Sequence, residues 1–378
     1  MTDVSVRPVE GRADLSQFIG FPYRLHARDP LWVPPLRMDV AKLLDPARNP
    51  FFEHAEAAYF LAERGGTVVG RIAAISNRLH NQIHGDRVGF FGFFECDYDQ
   101  SVADALFAAA AAWLKGTGHD VMRGPASFSV NDECGLLVDG FDTPPTLMMP
   151  HNPPYYLRLV DAAGFRKAKD LLVYRGGYES LYIPVPDRLT RGTELIRQRQ
   201  GITLRPFNMA DFDSEVAKVK SLYNRAWEKN WGFIPMTDKE LDFLAEQFKP
   251  VAIPDLIPFA EKDGEVIGFG LCLPDLNSVF RRYRSGRLTP ALLADLLYHI
   301  KLQRFKRLRI LLLGILPEWR GKGVDAMLYH WIWTRGGALG FRWGEAGWIL
   351  EDNPAMNAGL EKMEFTVYKT YRLYDKAL

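Results

Sequence analysis

Alternating apolar and polar residues open the chain at VSVRPV (4–9) and return at ITLRPF (202–207), two strand-like runs that each carry Arg-Pro. In the second half the changes of period predict a strand over 202–207, helices over 210–229 and 237–248, and strands over 255–262, 265–273 and 308–316. A helix over 321–339, a strand over 342–350, a helix over 354–363 and a strand over 366–374 complete the run. LRILLLGIL (308–316) is an apolar run broken only by Arg309, as expected of a central strand covered on both faces. In the first half VGFFGFFEC (88–96) takes the same place and is followed by a helix over 101–115.

The two halves match in order. Arg7 corresponds to Arg205; AERGGTVVG (62–70) corresponds to AEKDGEVIG (260–268), each read as strand, glycine turn and strand. NPPYYLRLVDAAGFRKAK (152–169) and NPAMNAGLEKMEFTVYK (353–369) share an Asn-Pro opening, a short helix, and a Phe with a Lys four residues on. The expectation is a tandem duplication of a mixed α/β unit of the α+β type: one unit over 1–175, a linker over 176–200, and a second unit over 201–378 with an insertion at 275–307.

Composition narrows the function classes. Of 378 residues 47% are hydrophobic and 25% charged, with a net charge of +1, which excludes a disordered chain and gives no global case for nucleic acid. Cys96, Cys134 and Cys272 are scattered, so reduced thiols are expected and a structural zinc is not. His80 and His84 stand at i and i+4 without an evident third ligand, and no metal is expected. The first residues hold no basic segment followed by an apolar run, and no stretch reaches the ~18 apolar residues of a membrane span. The expected location is cytoplasmic, with a peripheral place on the inner face of the cytoplasmic membrane as the alternative.

The chemistry gathers at LPEWRGKGVDAML (316–328), a glycine-rich turn between a buried strand and a helix. Such a turn leaves its own amides and the first helical N–H groups unpaired and facing an anion. The order of strand, Arg320-Gly321-Lys322-Gly323, long helix, strand, Asn-initiated helix and LEKMEF resembles the acyl-CoA-binding region of the GCN5-related N-acetyltransferase (GNAT) family. In that family the loop reads Arg or Gln, two variable residues, Gly, one variable residue, then Gly or Ala, and its amides hold the pyrophosphate of coenzyme A. Arg320 and Gly323 fit; Asp325 departs at the sixth position, where the backbone N–H is still available. The resemblance implies cofactor contacts from Gly314, Ile315, Leu316, Arg320, Gly321, Lys322, Gly323, Val324, Asp325 and Asn353. The tyrosine that often protonates the leaving thiolate is replaced by Leu360. In the first unit the corresponding place holds Glu95-Cys96-Asp97-Tyr98-Asp99, acidic and without glycine, so only the second unit is expected to take the cofactor.

DPLWVPPLR (29–37), FSVNDECGLLVDGFDTPP (128–145), HNPPYY (151–156) and WILEDNPAMN (348–357) together resemble a narrower bacterial group that includes ceramide synthases. That likeness implies transfer of a fatty acyl group from a thioester to the amine of a sphingoid base. Three other readings stand beside it: acetyl transfer to a small amine, an aminoacyl-tRNA-dependent transferase, and a non-catalytic acyl-CoA-binding protein.

Amide formation from a thioester needs a free amine, oxyanion donors and a proton acceptor. Backbone amides from Gly314 to Leu316 are the expected donors, and Glu351, Asp352 and Glu345 the candidate catalytic carboxylates. Asp352 or Asn353 capping a helix that begins at Pro354 is the competing structural reading. Asn131, Asp132 and Glu133 lie in a long polar stretch, and Tyr155 and Tyr156 at a helix start; these five are the candidates for the acceptor amine. Asx-type turns and aromatic packing are their structural alternatives. From 281 to 309 the insertion has nine basic residues and one acidic one around the amphipathic LTPALLADLLYHIKL, which suits an anionic leaflet, the roof of an acyl channel, or packing on its own domain.

Overall fold

The computed structural model describes residues 3–228 and 230–378; the expected helix end at 229 and the first two residues of the first unit lie outside this range. The first half runs β1 (Val4–Pro8), α1 (Gly11–Leu25), α2 (Arg37–Leu43), β2 (Ala55–Arg64), β3 (Thr67–Asn77), α3 (Arg78–His84), β4 (Val88–Cys96), α4 (Gln100–Gly116) and β5 (Val121–Gly124). Two short strands follow, β6 (Ala126–Ser127) and β7 (Glu133–Cys134), then β8 (Leu136–Asp139), α5 (Tyr156–Ala162) and β9 (Arg166–Gly177). Next come α6 (Asp187–Gln200), β10 (Thr203–Pro206), α7 (Phe212–Trp227), α8 (Asp238–Phe248), β11 (Pro258–Lys262), β12 (Glu265–Pro274), α9 (Asn277–Phe280) and α10 (Pro290–Lys301). The chain ends with β13 (Arg307–Ile315), α11 (Val324–Ala338), β14 (Trp343–Leu350), α12 (Pro354–Lys362) and β15 (Thr366–Ala377).

The duplication is visible at single side chains. Arg7 of β1 reaches across to Glu63 of β2 at 2.8 Å, and Arg205 of β10 reaches Glu261 of β11 at the same 2.8 Å. Each arginine also holds an acidic residue of the following helical segment: Asp14 at 2.7 Å in one copy, Glu215 at 2.6 Å in the other. The turns that follow contain Gly66 and Gly264, both at positive φ.

A single 13-stranded sheet joins the halves, in the order β1-β2-β3-β4-β5-β15-β9-β14-β13-β12-β11-β10, with β8 also beside β15. Only β4–β5 and β13–β14 pair in parallel. The last strands of the copies are exchanged: β15 lies against β5 and β8 of the first half, and β9 against β14 of the second. Their inward residues Val173, Tyr174, Tyr371 and Leu373 are buried, so the exchange is part of the core. The segment expected as a linker at 176–200 contains α6, whose Ile196 packs near β10 and α11. The strand expected at 255 starts at Pro258, because Pro254–Leu256 forms a 3-10 turn. The helix expected from 321 begins at Val324, since Gly321 and Gly323 take the left-handed conformation.

Candidate active site

β13 and β14 pair only from Arg307↔Trp343 to Ile310↔Ala346, although the strands run on to Ile315 and Leu350. Beyond Ala346 the register of β14 against β9 also shifts, so β13 and β14 part and open a wedge. On the other side of β13 the Leu316 amide donates to Ile267 O at 3.0 Å, and Gly314 stands opposite Phe269. Antiparallel alternation therefore turns the Ile315 amide toward the wedge and leaves it free for a ligand oxygen. Of the expected donors Gly314 to Leu316, Leu316 is already spent. Gly314 serves packing: a Cβ there would sit 2.5 Å from the Trp227 ring of α7.

The glycine-rich loop follows β13. Gly323, at φ +85°, precedes α11 without a side-chain cap, and among the described residues the amides of Gly321, Lys322 and Gly323 find no acceptor. With the first amides of α11 they form a row of donors at the positive end of a helix, exposed at Gly321 and Lys322. Asp325 sits in the first turn of α11, where a carboxylate is favoured by the helix dipole. Arg320 is engaged elsewhere, donating to the carbonyls of Ala226 and Ile315, and so ties the end of α7 to the loop. Lys322 stacks on Trp319 at 4.5 Å. Asn353 accepts from the Met356 amide at 3.2 Å and caps α12, with Pro354 in the first turn. Leu360 is buried in the core behind β13 and β14 and offers no hydroxyl.

A largely apolar cavity of about 260 Å³ reaches the wedge. Tyr223 and Trp227 of α7, Leu241 of α8, and Leu312 line it from the second half; Asn131 and Cys134 line it from the first. Gly347 and Trp348 form the β14 side, and Arg309 lies in the wall. The guanidinium of Arg309 is buried against the carbonyls of Leu147 and Gly347 and stands 3.5 Å from Glu345. Among the described residues, its Nε and the indole N–H of Trp348 have no hydrogen-bond partner. The Arg309 Nε is turned to Glu345, whereas the Trp348 indole N–H is an unpartnered buried donor beside the apolar cavity, free to meet an oxygen of a bound molecule.

The carboxylates expected from sequence fall into different settings. Glu351 accepts from Lys167 Nζ at 2.7 Å and from the Asp170 amide at 3.1 Å. Asp352 pairs with Lys169 at 2.7 Å, which holds its carboxyl below the usual range. Both are exposed at the end of β14, tied to β9. Glu345 is fully buried, one rung behind the cavity, where Thr146 and Tyr368 donate to it and Arg309 lies alongside. Tyr155 and Tyr156 close the end of β4: the first donates to Cys96 O at 2.7 Å, the second to Glu95 at 2.7 Å while accepting from the Cys96 amide.

Asn131, Asp132 and Glu133 are brought to the junction of the copies. Asn131 donates to Ile234 O at 3.0 Å and accepts from Tyr223 OH at 3.3 Å, stitching the first-half loop onto α7 and the segment after it. Asp132 accepts from the amide and hydroxyl of Ser129, and burial lifts its carboxyl to about 7 in spite of those bonds. Glu133 is exposed at the surface, and desolvation by its surroundings raises its carboxyl against the opposing pull of Arg309.

Several buried polar residues here were not singled out from sequence. Asp275 accepts from the amides of Leu147 and Asn277, faces Arg307 at 3.4 Å and is lifted by burial to about 6. Lys369 donates to Gly140 O and Thr143 O, and burial lowers it to about 8. The signal available was a charge inside an apolar run, as with Arg309 in LRILLLGIL; its partner Glu345 is set by parallel register and is not local. Among the described residues, no group of three or more His, Cys, Asp or Glu side chains is arranged to hold a metal ion.

No family model matches the chain. It is 40% identical over 383 aligned positions to the bacterial ceramide synthase of Caulobacter vibrioides (strain NA1000 / CB15N), covering 100% of this chain and 98% of that protein. It is 34% identical to protein YghO of Escherichia coli (strain K12), covering 99% and 95%. A tandem GNAT protein from the clavulanic acid biosynthesis pathway superposes with a TM-score of 0.58 at 13% identity, over 99% of this chain and 98% of that one, and so shares the fold. With a tandem GNAT fold and full-length identity of this level, the chain belongs to the bacterial ceramide synthase family.

Proposed function

We propose that the protein is an acyl-CoA-dependent N-acyltransferase that joins a long-chain acyl group to the amine of a sphingoid base. The observation that carries this reading is the apolar cavity, which starts at Leu311, Leu312, Gly347 and Trp348 of the β13–β14 wedge and extends under α7 and α8 to the first-half loop. A purely acetyl-transferring site has no need of such a volume. The loop amides from Gly321 to Asp325 take the pyrophosphate, with Lys322 adding positive charge, and the thioester lies along the end of β13, the Ile315 amide facing its oxygen. The acyl chain runs into the cavity. Asn353, as the cap of α12, supports this end of the site without touching the donor.

The acceptor amine enters at the junction, where Glu133 attracts its ammonium form and Asn131 lines the passage. Asp132, with a carboxyl near 7, takes the ammonium proton so that the neutral amine attacks the thioester carbon, and the second nitrogen proton passes to solvent as the amide forms. The C–N bond forms, the C–S bond breaks, and coenzyme A leaves as a thiolate that is protonated by solvent, since Leu360 has no proton to give. Glu345 positions Arg309. Glu351 and Asp352 anchor the end of β14 to β9. The test is incubation of purified protein with a long-chain acyl-CoA and a sphingoid base, following N-acyl product by mass spectrometry and free thiol by a colorimetric reagent. Product and thiol are expected in equal amounts. Turnover of acetyl-CoA with small amines, and none with the long-chain pair, would overturn the reading.

A further inference from the structure

The insertion between β12 and β13 is fastened to the first half of the chain. Arg284 donates to the carbonyls of His26 at 2.8 Å and Asp29 at 2.7 Å, and the Arg37 amide donates to Gly286 O at 2.8 Å. On its inner side α10 buries Leu292 in the core shared with Phe305, Leu308 and Ile332. Its outer side is different. Leu288, Leu293, Leu297, Tyr298 and Leu302 each leave 44–55% of their surface in solvent. Leu293 and Leu297 lie one turn apart, and Lys301 continues the same row.

Charge is equally one-sided. Arg281, Arg282, Arg287, Lys301, Arg304 and Lys306 are exposed on the insertion. From 281 to 306 the single acidic residue, Asp295, is half-buried and occupied by Arg282 at 3.1 Å and His299 at 3.1 Å. Since the whole chain carries only +1, this is a local concentration of positive charge. An apolar helix face rimmed by cations matches an anionic lipid leaflet, whose acyl boundary takes leucines while its headgroups take lysine and arginine.

We propose that the outer face of α10 docks the protein on an anionic phospholipid surface. The anchoring arginine contacts make the insertion a rigid foot spanning both halves, so docking fixes the orientation of the junction that holds the proposed acceptor site. The docking claim stands on the patch alone and does not depend on the reaction assigned above.

The experiment is co-sedimentation of the full chain with vesicles of phosphatidylcholine, or of phosphatidylcholine doped with phosphatidylglycerol, at low and high salt. Binding is expected to the doped vesicles and to weaken with salt. The double variant Leu293→Asp, Leu297→Asp should bind at least about tenfold more weakly, with its melting temperature unchanged because both side chains are exposed. A second variant, Arg304→Glu with Lys306→Glu, keeps the apolar face and should lose most of the salt-sensitive component. Equal binding by wild type and both variants would overturn the proposal. So would absence of vesicle binding together with a wild-type dimer that the leucine variant dissociates, which would make the face a contact between two copies.

Discussion

Asp132→Asn separates stability from catalysis at one residue. A carboxyl lifted from 3.8 to about 7 favours the protonated form in the folded chain. Between those two values the folded state holds a proton that the unfolded state has released, so stability is present in full below 3.8 and declines as pH rises through about 7. At ~1.36 kcal/mol per pH unit the ceiling is about 4 kcal/mol, and partial solvent access reduces it to about 2 kcal/mol. Asparagine keeps an oxygen for the Ser129 donors and never ionises. Denaturant titrations at pH 5 and pH 8 span only the part of that window between 5 and about 7, and should therefore show wild type losing about 1 kcal/mol relative to the variant on going to the higher pH. Acyl transfer by wild type should rise with pH along a limb near 7, while the variant is slower by about 100-fold or more and lacks that limb. A variant with wild-type rate and an unchanged limb refutes Asp132 as the base. A variant that loses stability relative to wild type at pH 8 refutes the burial argument itself.

Leu312→Trp narrows the cavity wall; if it excludes about four methylenes at ~0.8 kcal/mol each, transfer from a long-chain thioester should fall about 200-fold while a short-chain thioester is used as before, read from kcat/KM across chain lengths. Glu345→Ala leaves the buried Arg309 without its carboxylate and should cost about 3–5 kcal/mol in a denaturant titration, whereas a direct catalytic role would lower the rate with little change in stability. Gly323→Val sets a β-branched residue at φ +85° with its Cβ 2.4 Å from Ile196 Cδ1; the KM for acyl-CoA should rise about tenfold or more, and adding Ile196→Ala should recover only part of the loss because the backbone strain remains.

The parts of the fold written in local pattern were readable. Arg7 and Arg205 recur because each copy needs the same cross-strand partner, Glu63 or Glu261, in the same register. The glycine-rich loop was readable because positive φ at Gly321 and Gly323 needs glycine, and the strand and helix on either side have distinct periods. The exchange of β9 and β15 was not readable. RKAKDLLVYRGG and TVYKTYRLYDKA are both alternating strands, and nothing in either selects β14 or β5 as a neighbour. The expected roles of Glu351 and Asp352 came from their place at a strand end. Their settings are decided by Lys167 and Lys169, which the exchange of β9 brings alongside from more than 180 residues earlier.

That exchange bears directly on how two copies can make one site. In the second half, the wedge depends on β14 leaving β13 after Ala346, and β14 has β9 of the first half as its other neighbour. Loop 139–151 of the first half then crosses the same region: Thr146 donates to Glu345, Arg309 donates to Leu147 O, and Asn277 holds Pro145 O and Thr146 O. The wall of the cavity and the loop that carries Asp132 and Glu133 are thus braced by residues from both copies. A free second copy would keep its glycine-rich loop but lose β9, the Leu147 carbonyl that Arg309 holds, both carbonyl partners of Lys369, and the acidic loop. Buried cations stripped of their acceptors are costly, so the copies are bound to each other by the same polar contacts that shape the cavity. Duplication followed by strand exchange leaves one copy with the glycine-rich loop, while the other, with acidic Glu95 to Asp99 in the equivalent place, contributes the loop that carries Asp132 and Glu133.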